Sequence, residues 1–104
     1  MLFLNEKEEK IIGVFMNNTD KYENERMVLK WKDGSFVVAT FDTYIEDEDD
    51  CDIEDENYEE FWSFVFKVHR IEGEPPVFIT QHDYFLVNYR NFPDEIIAKG
   101  KKIN

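Results

Sequence analysis

"RMVLKWKDGSFVVATFDTYI" (residues 26–45) carries the strongest local signal in the chain. Two runs rich in β-branched and aromatic residues flank Asp33-Gly34. That dipeptide suits a two-residue type I′ turn, in which both central residues need positive φ. The turn pairs Trp31 with Phe36, Leu29 with Val38 and Met27 with Thr40. Met27, Leu29, Trp31, Phe36 and Val38 then form the core face of a hairpin. The opposite face carries Lys30, Lys32 and Ser35 near the turn, wet, and Val37, Ala39 and Phe41 further along, covered. Apolar residues on both faces imply a strongly bent sheet or a small barrel.

On the N-terminal side, "KIIGVFM" (10–16) is a short apolar run closed by the turn residues "NNTD" (17–20), and it reads as a first strand. On the C-terminal side, "EFWSFVFKVHRI" (60–71) has two readings. Period 2 puts Trp62, Phe64, Phe66 and Val68 on one side and Ser63, Val65, Lys67 and His69 on the other. Helical spacing groups Tyr58, Phe61, Trp62 and Val65. The density of aromatic and β-branched residues favours the strand, with room for one helical turn over 55–60 before it. "EGEPP" (72–76) is a turn, and "VFITQH" (77–82) with "DYFLVNYR" (83–90) makes one long strand or two. The tail "NFPDEIIAKGKKIN" (91–104) fits a helix from Pro93 to Gly100, or Ile96–Ala98 followed by a Lys99-Gly100 turn and a last short strand. The second is preferred, because a six-residue helix is marginal.

The sum is one mainly β domain over residues 1–104, with five or six antiparallel strands and room for one short helix, closing into a small barrel or bent sheet. The segment "KWKDGSFVVATFDTYI" resembles the bent hairpins of small SH3-like and Sm-like barrels. The likeness covers about a fifth of the chain. The glycine expected just past the first Sm-type strand and the later Arg-Gly dipeptide are both missing. The RNA-binding residues of that family are therefore not carried over, and the resemblance is one of shape, without function.

The charge is distributed unevenly. The chain has 24 acidic and 12 basic residues, a net charge of -12. "EDEDDCDIEDENYEE" (46–60) holds 11 of the acids and no base, which leaves the rest of the chain at -1. This stretch reads as a long acidic loop joining the hairpin to the aromatic strand. So much negative charge repels phosphate backbones and anionic lipid, which argues against direct nucleic-acid or membrane binding. A single cysteine, Cys51, excludes an intramolecular disulfide and favours a reducing compartment. The start "MLFLNEKEEKIIG" lacks a basic region followed by a long apolar core, so a cytoplasmic protein without a signal peptide is expected.

Four readings compete for the acidic stretch. As a Ca²⁺ site it fails the EF-hand spacing in two registers: counting from Asp47, Asp52 stands where glycine belongs and Tyr58 where the last glutamate belongs, and counting from Asp50 the same places hold Asp55 and Phe61. As a DNA mimic, inhibiting a nucleic-acid-binding protein, it has the charge but no regular spacing. As a solvated loop it only raises solubility. As a docking surface for a basic protein it needs no fixed spacing, and opposite charge speeds capture.

The catalytic candidates are His69 and His82 beside Asp83, or the two histidines with Cys51 around zinc, none at ligand or triad spacing. Trp31, Trp62, Phe64, Phe66, Phe85 and Tyr89 read as core rather than as a base-stacking face. The resulting expectation is a small acidic, non-enzymatic protein-binding module without a cofactor. Its most specific form is an inhibitor or immunity-type protein that neutralises a basic toxin or nuclease. The contact set is Glu46, Asp47, Glu48, Asp49, Asp50, Asp52, Ile53, Glu54, Asp55, Glu56, Tyr58, Glu59 and Glu60, with Ile53 or Tyr58 as the apolar anchor.

Overall fold

The computed structural model describes residues 3–22, 24–51 and 53–104. One helix, α1 (Glu6–Asn18), precedes six strands: β1 (Arg26–Lys30), β2 (Phe36–Glu48), β3 (Glu60–Glu72), β4 (Tyr84–Val87), β5 (Glu95–Ala98) and β6 (Lys101–Lys102). The strands form one antiparallel sheet in the order β4-β3-β2-β1-β5-β6. The mainly β expectation is met, with one short helix that lies at the N-terminal end rather than in the tail or over 55–60. The sheet is open and bent rather than closed into a barrel, and the helix packs against it through Phe15.

The run at 10–16 is helix, not strand. Asn5 is the N-cap: its side chain accepts from the Lys7 N–H, and Glu8 reaches back to the N-cap backbone, completing a capping box. Behind that start, Glu8, Ile12, Phe15 and Met16 fall on one buried stripe at helical spacing. Phe15 is fully buried, with the rings of Phe41, Phe64, Phe66 and Phe92 at 5.8, 5.3, 5.9 and 5.8 Å. This single side chain links the helix to β2, β3 and the segment leading into β5. Burying a phenylalanine contributes ~2–3 kcal/mol from apolar area alone.

The β1–β2 hairpin is present, but in a register one residue away from expectation. Lys30 pairs with Phe36, Leu29 with Val37 and Met27 with Ala39. The turn has three residues, not two: Trp31 N–H donates to the Ser35 carbonyl (3.0 Å) and Gly34 N–H to the Trp31 carbonyl (3.1 Å). Gly34 takes the left-handed position at φ 91°. Asp33 does not share that conformation. Its carboxylate instead accepts from the Ser35 N–H (2.9 Å) and hydroxyl (2.6 Å), which lowers its pKa. A one-residue slip exchanges the faces of a strand. Val37 and Ala39 are therefore the fully buried residues, and Phe36 and Val38 are half-exposed.

The long β2–β3 hairpin is bent by two register shifts, one at Val38/Ala39 and one at Phe41/Thr43. The second inserts Asp42, so that both Phe41 and Tyr44 pack against the core. Each strand has thirteen residues. At ~3.3 Å per residue that is ~43 Å, matching the 42 Å long axis of the molecule. In β3, Phe64 and Phe66 are fully buried as expected, and Trp62 and Val68 are half-buried; Ser63, assigned to the other side, is buried as well.

Residues 77–82 are not strand; only Tyr84–Val87 extends the sheet at that edge. The N–H and carbonyl of Tyr84 are bonded to Thr80, whose N–H donates to the Tyr84 carbonyl (2.8 Å) and whose hydroxyl accepts from the Tyr84 N–H (3.2 Å). Asn88 N–H donates to the Asn91 side chain (2.8 Å). The tail follows the strand reading: β5 and β6 join through Lys99 (φ 52°) and Gly100 (φ 76°). Lys32 N–H donates to the Asp94 carboxylate (2.8 Å), and Trp31 Nε1 donates to the Asn91 carbonyl (2.9 Å), so the start of the tail is tied to the first hairpin.

Candidate functional site

Strand pairing continues into the acidic stretch. Glu46, Asp47 and Glu48 end β2 opposite Trp62, Phe61 and Glu60. The connection proper is therefore Asp49–Glu59. β4 pairs with β3 only between Phe64 and Lys67. Beyond Phe64 the hairpin is a two-stranded arm.

Such a ribbon is marginal by itself, and polar groups from two other places, the start of α1 and the turn after β4, secure its base. From α1, the fully buried Glu8 carboxylate accepts from the N–H groups of Leu4 (2.9 Å), Asn5 (3.2 Å) and Trp62 (2.8 Å). Asn5 Nδ2 donates to the Glu60 carbonyl (2.9 Å). The helix start thus lies along the edge of β3 that β4 leaves open. Lys7 Nζ meets Glu59 at 3.2 Å, and the carboxylate raises the lysine pKa.

From the turn after β4 comes Arg90. Its Nη1 and Nη2 donate to the two oxygens of Asp49 (2.6 and 2.9 Å), and Nη2 also donates to Glu59 (2.6 Å). The guanidinium lies 4.9 Å from the Phe61 ring centroid and 5.4 Å from that of Tyr89. The Tyr89 hydroxyl donates to Glu59. Tyr89 and Arg90 hold the Glu59 carboxyl down to about 2, and Arg90 lowers Asp49 as well. The arginine is shifted upward in turn, chiefly by Asp49.

The expected contact residues therefore separate into two groups. Asp49 and Glu59 are half-buried and serve the arm internally. So does Asp47, which accepts from the buried Ser63 hydroxyl (2.9 Å) and the Glu48 N–H (2.8 Å). Glu46, Glu48, Asp50, Glu54, Asp55, Glu56 and Glu60 are exposed. Asp52 lies outside the described residues. In place of a helical turn over 55–60, residues 55–58 form a β-turn and Glu60 already belongs to β3, with Tyr58 N–H donating to the Asp55 carbonyl (3.0 Å) and Asn57 N–H to the Asp55 carboxylate (2.8 Å). Tyr58 is half-buried and donates its hydroxyl to Glu48. That bond and the surrounding acids push its phenol up to about 12. Ile53 stands 72% exposed at the tip.

The catalytic candidates are not assembled. His69 Nε2 is 2.6 Å from the Thr40 hydroxyl, and its pKa is lowered by burial and by Arg26 and Lys67. His82 is exposed in the turn before β4. Among the described residues no group of three or more His, Cys, Asp or Glu side chains is arranged to hold a metal ion, and Cys51 is exposed.

Two features escaped sequence reading. One is the set of basic and aromatic partners, Lys7, Tyr89 and Arg90, which are 30 to 52 residues away in sequence. The other is an apolar hollow beside β4, lined by Val65, Val77, Phe78, Tyr84 and Leu86, with Phe78 83% and Leu86 43% exposed. Among the described residues no helix is long and apolar enough to cross a membrane.

A family model described as cognate immunity protein YxxD matches residues 11–103, and the chain belongs to that family. No curated protein and no solved structure matches it. The protein is thus of the immunity type, with a cognate toxin as its partner, which it neutralises.

Proposed function

We propose that this immunity protein captures its toxin through the exposed carboxylates of the β2–β3 arm, and that the face it meets is basic. The supporting observation is the division within the acidic stretch. Asp47, Asp49 and Glu59 are spent on internal bonds, whereas Asp50, Glu54, Asp55 and Glu56 stand exposed around an exposed Ile53 at the tip. A concentrated negative surface accelerates encounter with a positive one, and a central apolar residue supplies contact area once the two meet. The protein acts by occupying the toxin rather than by catalysis, and it needs no cofactor. The single exposed cysteine suits action in the cytoplasm. A basic nuclease is the most specific partner of this kind, since its nucleic-acid cleft is already positive.

The test is a pull-down from the native host with low- and high-salt washes, followed by binding of the recovered toxin to a variant with Asp50, Glu54, Asp55 and Glu56 all replaced by Lys. Association should slow by roughly tenfold or more at low salt, and the difference should shrink at high salt. Unchanged affinity of the fourfold variant would end this reading.

A further inference from the structure

We propose that Arg90 is a positioning residue: it sets the acidic arm in its binding geometry before the toxin arrives. This rests on the arm being the toxin-facing surface. The ladder between β2 and β3 ends at Glu48 and Glu60. One residue further on, Asp49 N–H donates to the Glu59 carbonyl (3.1 Å), and Glu59 N–H donates back to the Asp49 carboxylate (3.0 Å). Arg90 closes on this last rung, gripping the side chain of each leg at 2.6 Å. The two legs belong to a segment whose like charges push apart, and a cation shared between them opposes that push where pairing gives out.

The chemistry requires a guanidinium. Its planar fork meets Asp49 with two bonds, turns a third toward Glu59, and still stands over the Phe61 ring, 4.9 Å from its centroid. A lysine can supply the charge but not the fork. The Asp49 and Glu59 side chains are only 20% and 21% exposed, so the grip is partly shielded from solvent. A surface fixed in advance loses less freedom on binding than one that must order itself. Arg90 thereby contributes to affinity through Asp49 and Glu59, without needing to touch the toxin.

The experiment compares the intact protein with Arg90→Met and Arg90→Lys. Amide hydrogen exchange is measured on the free proteins, and binding is measured to the toxin recovered from the host. In Arg90→Met, exchange of amides across 48–61 should rise about tenfold or more while those of β1 and β5 hold. The toxin should then dissociate about tenfold faster. Arg90→Lys should fall between Met and wild type in both, and it supplies the comparison should the methionine variant fold poorly. Unaltered exchange of the arm in both variants would overturn the proposal. So would faster exchange with unchanged toxin dissociation, or weaker toxin binding with unaltered exchange, which would make Arg90 a direct contact. The exchange measurement needs no toxin, so failure of the grip is distinguishable from failure of the toxin-facing reading, which the fourfold lysine variant decides.

Discussion

The body of the protein and its acidic arm solve the same problem by different means. In the body, Phe15, Phe64, Phe66 and Phe85 are almost wholly removed from water, and apolar burial holds α1 to the sheet. In the arm Phe61 is buried at the base and Tyr44 meets Trp62 at 5.5 Å, but toward the tip there is little to bury. Its two strands are kept together by charged and polar groups, with Glu8 and Arg90 doing at the base what a third strand does elsewhere. The body is therefore expected to be indifferent to salt and pH over a wide range, and the arm sensitive to both. The exposed carboxylates of the acidic stretch stand out on this ribbon, and the ribbon is tied down at its base.

Phe15→Ala should do the most damage, since it opens a cavity where four rings converge; a loss of ~3–5 kcal/mol in denaturant unfolding is expected. A loss under ~1 kcal/mol would mean that the helix contributes little to the body. Glu8→Ala comes next. It leaves the Trp62 N–H without its buried carboxylate and removes the reciprocal half of the capping box, and should cost ~2–3 kcal/mol. Exchange in the arm should accelerate with it, because Glu8 belongs to both regions.

The effect of acid is smaller. The folded state holds the Glu59 carboxyl at about 2, below the ordinary 4.5. Its contribution is thus fully present above pH ~4.5 and lost as the pH falls toward 2. Glu59→Gln should flatten this part of the acid-unfolding curve. An unchanged curve would show that Tyr89 and Arg90 do not hold the charged form. Phe78→Ser should change stability by no more than ~0.5 kcal/mol, since the ring is mostly in water already. If the same substitution weakens toxin binding, the contact surface extends from the arm to the hollow beside β4.

The parts of the fold that depend on local pattern were legible: the Asp33-Gly34 turn region, the aromatic strand, and the Lys99-Gly100 turn. The register of the first hairpin was not, because a two-residue and a three-residue turn both use Asp-Gly, and only the burial of Val37 and Ala39 in the core selects between them. The helix itself had a readable start in Asn5 and Glu8. It was obscured because Ile11, Ile12, Phe15 and Met16 crowd into a run too short to display its period, with Gly13 inside it. For the site, sequence exposed the charge but not its division. Nothing local marks Asp49 and Glu59 as bound and half-buried and Glu54 and Glu56 as exposed, since the difference is made by Arg90 and Lys7, brought in by the fold.

The bonds that Thr80 and Asn91 make to Tyr84 and Asn88 have a consequence for a chain of this kind. An open sheet invites strands from other proteins to add themselves at its rim. Here one rim is a two-residue strand of lysines, and the other has Thr80 and Asn91 bonded to the backbone on either side of Leu86. An antidote must be waiting, folded and unattached, when its toxin appears. A rim so occupied lets it accumulate without seizing other chains.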